Sequence, residues 1–206
     1  MIYARLLGGL GNQLFQYATA RAVALRNGAE LVLDARLCRD DDHTRYGLGA
    51  FAIRARRALP AELPPGRDRP LAHALWRRFG RHPRFVRERG LGFNPSVLSL
   101  GDDVYLHGYF QSERYFADQA DILRDELTII DPPTAPVMAM AATIAGVPAV
   151  SVHLRRGDYV TDSRAARAHG GVGADYYDRA LRLVAERAGI EPVVFVFSND
   201  PGWARE

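Results

Sequence analysis

Val150-Ser151-Val152-His153-Leu154-Arg155-Arg156-Gly157-Asp158-Tyr159 turns from strand to charge within one residue. The branched apolar residues up to Leu154 carry the pattern of a buried parallel strand, and two arginines, a glycine and an aspartate follow at once. In open α/β sheets the ligand lies beyond the carboxyl ends of the strands, so Arg155 and Arg156 stand where an anion can reach them. Arginine suits that post because its planar fork grips phosphate oxygens in pairs and keeps its charge near neutrality. A pair of surface salt bridges would explain these two residues equally well, so the rest of the chain has to decide.

Downstream, Asp175 to Ala188 reads as a helix with Tyr177, Leu181, Val184 and Ala188 on one face, closed by Gly189. Pro192 to Phe197 reads as an apolar strand ending in Ser198-Asn199-Asp200. Strand, helix and strand make one right-handed βαβ unit, which would bring His153, Arg155 and Asp200 to one sheet edge. Upstream, a helix is expected over Val137 to Ile144. Before it, Asp131-Pro132-Pro133-Thr134-Ala135-Pro136 is the strongest boundary signal, giving domains 1–133 and 134–206.

The amino-terminal domain opens with a strand, Ile2 to Leu7, a glycine turn, and a helix to about Asn27 with Leu14, Ala18, Ala22 and Leu25 on one face and Gly28 as its stop. Glycines and a helix start favour anions, yet Gly9-x-Gly11 is not the full dinucleotide fingerprint and lacks the Lys and Ser/Thr of a P-loop. A structural turn is the other reading. Glu30 to Asp34 is a second strand. Ala35 to Gly101 holds few signals: a short strand over the Tyr46/Leu48/Phe51/Ile53 alternation and a short helix over Leu71 to Phe79. Val104 to His107 is a strand, and Ser112 is placed to cap a helix running to about Glu126. Asp40-x-Asp42 could hold a divalent metal, but its irregular charged surroundings favour a solvated loop.

Composition limits the choices. With 206 residues, 48% hydrophobic and 10% aromatic, the chain is globular and neither disordered nor collagen-like. All 27 basic residues are arginine, dispersed among 24 acidic ones, so charge alone does not imply nucleic-acid binding. Cys38 stands alone, which precludes an intrachain disulfide and suits a reducing, cytoplasmic setting. No apolar run approaches the ~20 residues of a membrane helix.

Four segments together resemble the α-1,2-fucosyltransferases of glycosyltransferase family 11. They are Gly8-Gly9-Leu10-Gly11-Asn12-Gln13-Leu14-Phe15-Gln16-Tyr17-Ala18, Gly108-Tyr109-Phe110-Gln111-Ser112-Glu113-Arg114-Tyr115-Phe116, Val152-His153-Leu154-Arg155-Arg156-Gly157-Asp158-Tyr159-Val160, and Phe197-Ser198-Asn199-Asp200 with Trp203. The resemblance implies an α/β fold of GT-B type, two Rossmann-like domains facing across a cleft. GDP-fucose would be bound mainly by the second domain, and a galactose-terminated glycan would approach from the first. Transfer would invert the anomeric carbon without a metal or other cofactor. Arg155 would hold the β-phosphate with Arg156 in support, His153 and Asp200 would lie near the guanine with Asn199 as the alternative to Asp200, and Asn12 with Gly9 and Gly11 would line the cleft near the fucose. Asp158 would touch ligand or hold Arg156.

The chemistry agrees. Breaking the bond to GDP builds negative charge on the diphosphate, which fixed arginines and backbone amides can stabilise in place of a cation. No general base stands out: His107, Glu113 and Asp158 qualify by residue type only. Family members continue past the Phe-Ser-x-Asp strand through a Ser-Thr-Phe-Ser-Trp-Trp-like segment, so the second domain is expected to be incomplete, and a truncated remnant with weak or no nucleotide binding stays open beside the enzyme. Peripheral docking at the cytoplasmic membrane also stays open.

Overall fold

The structure, a computed structural model, describes residues 1–39, 44–65, 71–72, 75, 83–90, 92–154, 173–202 and 204. It divides into two compact units, Met1–Pro132 and Pro133–Glu206.

The first unit is built on a five-stranded sheet. Its strands are β1 (Ile2–Arg5), β2 (Leu31–Asp34), β3 (Arg56–Arg57), β4 (Arg84–Arg87) and β5 (Val104–His107), in the order β3-β2-β1-β5-β4. Every pairing is parallel, with Ala4 opposite both Leu33 and Leu106. The central strands are buried on both faces, which is why they read as unbroken apolar runs. On one face Ile2, Ala4, Leu6, Leu31, Leu33, Val104 and Leu106 share a core with Tyr17, Ala20, Val23 and Ala24 of helix α1 (Leu10–Arg26). On the other, Tyr3, Val32 and Tyr105 pack with Leu63. Gly28 closes α1 in the left-handed region at φ 57°, as the sequence predicts.

Four expectations need correction here. The buried face of α1 is centred on Gln13, Gln16, Tyr17, Ala20 and Ala24; Ala18 and Ala22 are buried too, while Leu14 and Leu25 are only half-buried. Two glutamines claim the interior because they bond backbone groups of the turn, a polar demand that an apolar template cannot register. The Tyr46 to Ile53 alternation is no strand: Leu48–Ala50 is a 3-10 turn, and Phe51 makes a single bridge to Ile129. Strands β3 and β4 occupy the stretch that carried few signals, arginine-rich and too short for periodicity to show. Ser112 caps no long helix. Two 3-10 turns, Glu113–Tyr115 and Ala117–Gln119, precede helix α2 (Ala120–Glu126), and the non-helical backbone of Phe116, at φ −139° and ψ 12°, breaks the run. Of the expected Leu71 to Phe79 helix, Leu71, Ala72 and Leu75 are helical and the remainder lies outside the described residues.

The second unit holds helix α3 (Ala135–Ala145), strand β6 (Ala149–Leu154), helix α4 (Ala174–Ala188) and strand β7 (Val193–Ser198). β6 and β7 run parallel in register from Ala149 opposite Val193 to Leu154 opposite Ser198. Gly189 ends α4 at φ 66°. The pattern of β6 predicts a strand buried on both sides; instead Val150, Val152 and Leu154 are half-buried and alternate with exposed residues. With two strands, each has a sheet edge, and among the described residues of this unit none is buried. No helix among the described residues is long and apolar enough to cross a membrane.

Candidate functional site

In the first unit the polar residues gather where the parallel strands end. After β1 the chain turns at Gly8, whose φ of 72° suits glycine, and a Cβ there would come within 2.4 Å of Asn12 Nδ2. Gly9 precedes α1 with extended backbone, and a Cβ on Gly11 would meet nothing within 4 Å. The turn is fixed from inside. Gln16 receives the Leu7 amide at 2.9 Å and donates to the Leu7 carbonyl at 3.2 Å. Gln13 donates to the carbonyls of Gly8 (3.0 Å) and Arg45 (2.8 Å) and accepts from the Gly47 amide at 3.0 Å. Both glutamines are buried, so each spends its whole amide on main chain that would otherwise be unpaired.

A second loop meets this turn. After β5, the amides of Tyr109 (2.7 Å) and Phe110 (3.0 Å) donate to Glu88, the residue that follows β4, and a Cβ on Gly108 would stand 2.3 Å from Glu88 Cβ. The buried Phe110 takes φ 51°, a left-handed conformation uncommon for a bulky residue. Gln111 then donates to Asn12 Oδ1 at 2.7 Å. The glycine-turn and Gly-Tyr-Phe-Gln segments, far apart in sequence, are thus one site. Gln13, Gln16 and Glu88 carry it, and the sequence reading gave none of them a role. Polar residues at positions i and i+3 on a buried helix face were the available signal for the glutamines; for Glu88 there was none beyond a carboxylate at a strand end.

The same edge carries a buried charge cluster on the opposite sheet face. Asp34, 1% exposed, accepts two side-chain bonds from Arg36 (3.0 and 2.9 Å) and the Tyr105 hydroxyl, with Arg5 Nε 3.7 Å away. Burial alone would raise the Asp34 pKa, but these donors outweigh it and hold the carboxylate below its ordinary value. His107, half-buried at the end of β5, has its pKa lowered by burial and by Arg5 and Arg87, so it is neutral near pH 7. It stacks on Phe85 at 5.6 Å. Glu113 is exposed in its 3-10 turn.

In the second unit, the β6–β7 register puts His153, opposite Phe197, and the Ser198-Asn199-Asp200 turn at one carboxyl edge. His153 is exposed and Asp200 half-buried, its amide bonded to Ser198 Oγ at 2.9 Å. Arg155, Arg156 and Asp158, which follow β6 directly, lie outside the described residues, as do Asp40, Asp41, Asp42, His43 and Trp203.

Parallel sheets that gather polar groups at their carboxyl edges define a mixed α/β protein of Rossmann-like kind. Comparison with known proteins supplies the rest. The model of the family described as "Glycosyl transferase family 11" matches residues 88–206. An alpha-1,2-colitosyltransferase of Escherichia coli is 30% identical over 216 aligned residues, which cover 100% of this chain and 71% of that protein. The O-antigen biosynthesis glycosyltransferase WbnK of Escherichia coli is 28% identical over 233, covering 98% and 74%. No solved structure matches the chain. The chain belongs to glycosyltransferase family 11, and as a glycosyltransferase it takes a nucleotide-sugar donor and a glycan acceptor.

Proposed function

We propose that the protein transfers L-fucose from GDP-fucose to a galactoside hydroxyl of a bacterial surface glycan, forming an α-1,2 linkage with inversion and without a metal. The two units would serve as the domains of a GT-B enzyme, the first towards the acceptor and the second towards GDP. The observation that carries this reading is the β6–β7 register. It brings the polar ends of both strands to one edge immediately before Arg155-Arg156, where a diphosphate could be met by guanidinium groups as its bond to the sugar breaks. Arg155 is assigned the β-phosphate, with Arg156 and Asp158 in support. His153 and Asp200, or Asn199, are assigned the base, and Gly9, Gly11 and Asn12 the sugar. Colitose in place of fucose is a second reading, favoured by the named activity of the 30%-identical relative; an O-antigen acceptor is favoured by the name of the other.

The test compares donors. Purified protein incubated with GDP-fucose or nucleotide-activated colitose and a galactoside should release GDP and form one linkage, with undiminished rate in excess EDTA. Arg155→Ala should abolish transfer while leaving the melting curve unchanged, and an unchanged rate in that variant would refute the phosphate assignment. Calorimetry with GDP separates the enzyme from a remnant, which would give no binding heat.

A further inference from the structure

We infer that Arg5, His107 and Arg87 form a subsite of the first unit for an oxyanion carried by the acceptor glycan, a sugar carboxylate or a phosphate. This deepens the proposed function and rests on its assignment of the first unit to the acceptor. The three residues close the adjacent parallel strands β1, β5 and β4, with Arg87 in register opposite His107 and Ala4, the residue before Arg5, opposite Leu106. Neighbouring strands lie ~4.8 Å apart, so the two arginine backbones stand ~10 Å from each other with the histidine between them. All three share the sheet face of Tyr105 and Phe85. Arg5 lies over the Tyr105 ring at 5.9 Å, His107 stacks on Phe85 at 5.6 Å, and Arg87 follows Phe85 by two residues, one strand period. Side chains of that length can meet at one group above the middle strand.

The neighbouring carboxylates are already engaged. Asp34 accepts from Arg36 and Tyr105; at 3.7 Å from Arg5 Nε it lies beyond hydrogen-bond reach, and that Nε is buried without a partner. Glu88, next in the chain after Arg87, accepts the Tyr109 and Phe110 amides. Among the described residues Arg5 makes no side-chain hydrogen bond, and the exposed Arg87 makes no ion pair. His107 sets the polarity. Its Nδ1 is buried and bonds nothing, and an N–H without an acceptor costs more there than a bare lone pair, so the proton sits on Nε2. The row therefore offers an imidazole donor between two guanidinium groups and no acceptor, which fits an oxyanion that the forks can grip in pairs. Phe85, 57% exposed on the edge strand β4, adds a flat apolar surface for the face of a sugar ring.

The His107 Cε1 proton, assigned in NMR by its loss in His107→Gln, reports on the subsite. Titration with methyl β-D-glucuronide or inorganic phosphate should shift it saturably, while neutral methyl β-D-glucoside should leave it still; the anion that acts at the lower concentration identifies the oxyanion. Arg87→Gln, at an exposed position with no ion pair to lose, should weaken that binding ~10-fold or more with the melting temperature unmoved. Arg5→Gln should weaken it as much, and Arg87→Gln decides the matter if that variant does not fold. In the transfer assay, a galactoside bearing a uronate or a phosphate should show a KM ~10-fold below that of the neutral galactoside. No shift with either anion, an equal shift with the neutral glucoside, unaltered binding in Arg87→Gln, or one KM for all three acceptors would overturn the inference. No transfer by the wild type from either activated sugar would refute the proposed function and leave the titration to decide the oxyanion subsite alone.

Discussion

Replacing Glu126 by glutamine removes one charge from the joint that holds α1 against the rest of the first unit. Arg21 Nε lies 3.0 Å from both carboxylate oxygens and Arg21 Nη2 2.7 Å from one, while the Tyr17 hydroxyl donates to the other. The Tyr17 oxygen in turn accepts the Arg54 amide at 3.0 Å. Burial would raise the Glu126 pKa, but the bonds from Arg21 and Tyr17 and the charges of Arg21 and Arg54 outweigh it, and the group is held below its ordinary 4.5. Breaking a buried pair from one side costs ~3–5 kcal/mol, and because 16% of the Arg21 side chain still reaches water, about 2–3 kcal/mol is expected for Glu126→Gln. At roughly 2–4 °C per kcal/mol for a chain of this size, the melting temperature should fall by about 4–12 °C. The pH dependence follows from the sign of the shift. A depressed carboxyl stabilises fully above its unfolded value and ceases to do so as pH falls through its folded one. The gap between wild type and variant should therefore be constant from neutrality down to about pH 5.5 and close as pH falls further below 4.5. Scanning calorimetry at several pH values measures both. A shift below 2 °C at pH 7, or a gap that persists at the lowest pH, would refute the argument.

Other outcomes follow from the same contacts. Gly8→Ala would force a left-handed alanine at ~1–2 kcal/mol and push aside the Asn12 amide, so transfer should fall by far more than the few degrees lost in the melt. Gln16→Leu keeps the volume but orphans the Leu7 amide and carbonyl at ~1–3 kcal/mol each, visible as a lower urea midpoint at unchanged m-value. His107 should titrate below 6.5 in an NMR series, and lower still in Asp34→Asn, because the Asp34 carboxylate raises it against the lowering by burial, Arg5 and Arg87.

The elements built by apolar periodicity were legible in the sequence. β1, β2, β5, β6 and β7 lie where branched runs predict them, and α1 and α4 end at Gly28 and Gly189 because only left-handed closure lets the chain turn there. β3 and β4 were not legible. Arg56-Arg57 and Arg84-Phe85-Val86-Arg87 are edge segments of the sheet whose identity comes from pairing with β2 and β5, a tertiary fact with no local signature. The site divides in the same way. Asn12 and the glycines were visible as a motif, but its joining to Gln111 depends on two loops that meet only once the parallel sheet has set β1 beside β5. Glu88 was hidden for a related reason, since its partners are backbone amides and main chain has no residue type to read.

That division separates two kinds of residue within one motif. Gln13, Gln16, Gly8 and Glu88 satisfy or shape main chain, and their loss leaves buried donors and acceptors without partners, a penalty borne by the folded state with or without substrate. Asn12 and Gln111 bond chiefly to each other on an accessible surface, where water can replace the bond at little cost to folding. If Asn12 serves the sugar as proposed, stability measurements alone would rank the two groups in the wrong order for catalysis. Substitutions at the holders should move the melting temperature and the rate together, whereas those at the presenters should move kcat with the melting temperature almost still. A presenter variant that unfolds early would show that the amide pair is itself part of the scaffold, and the assignment of Asn12 to the sugar would lose its geometric support.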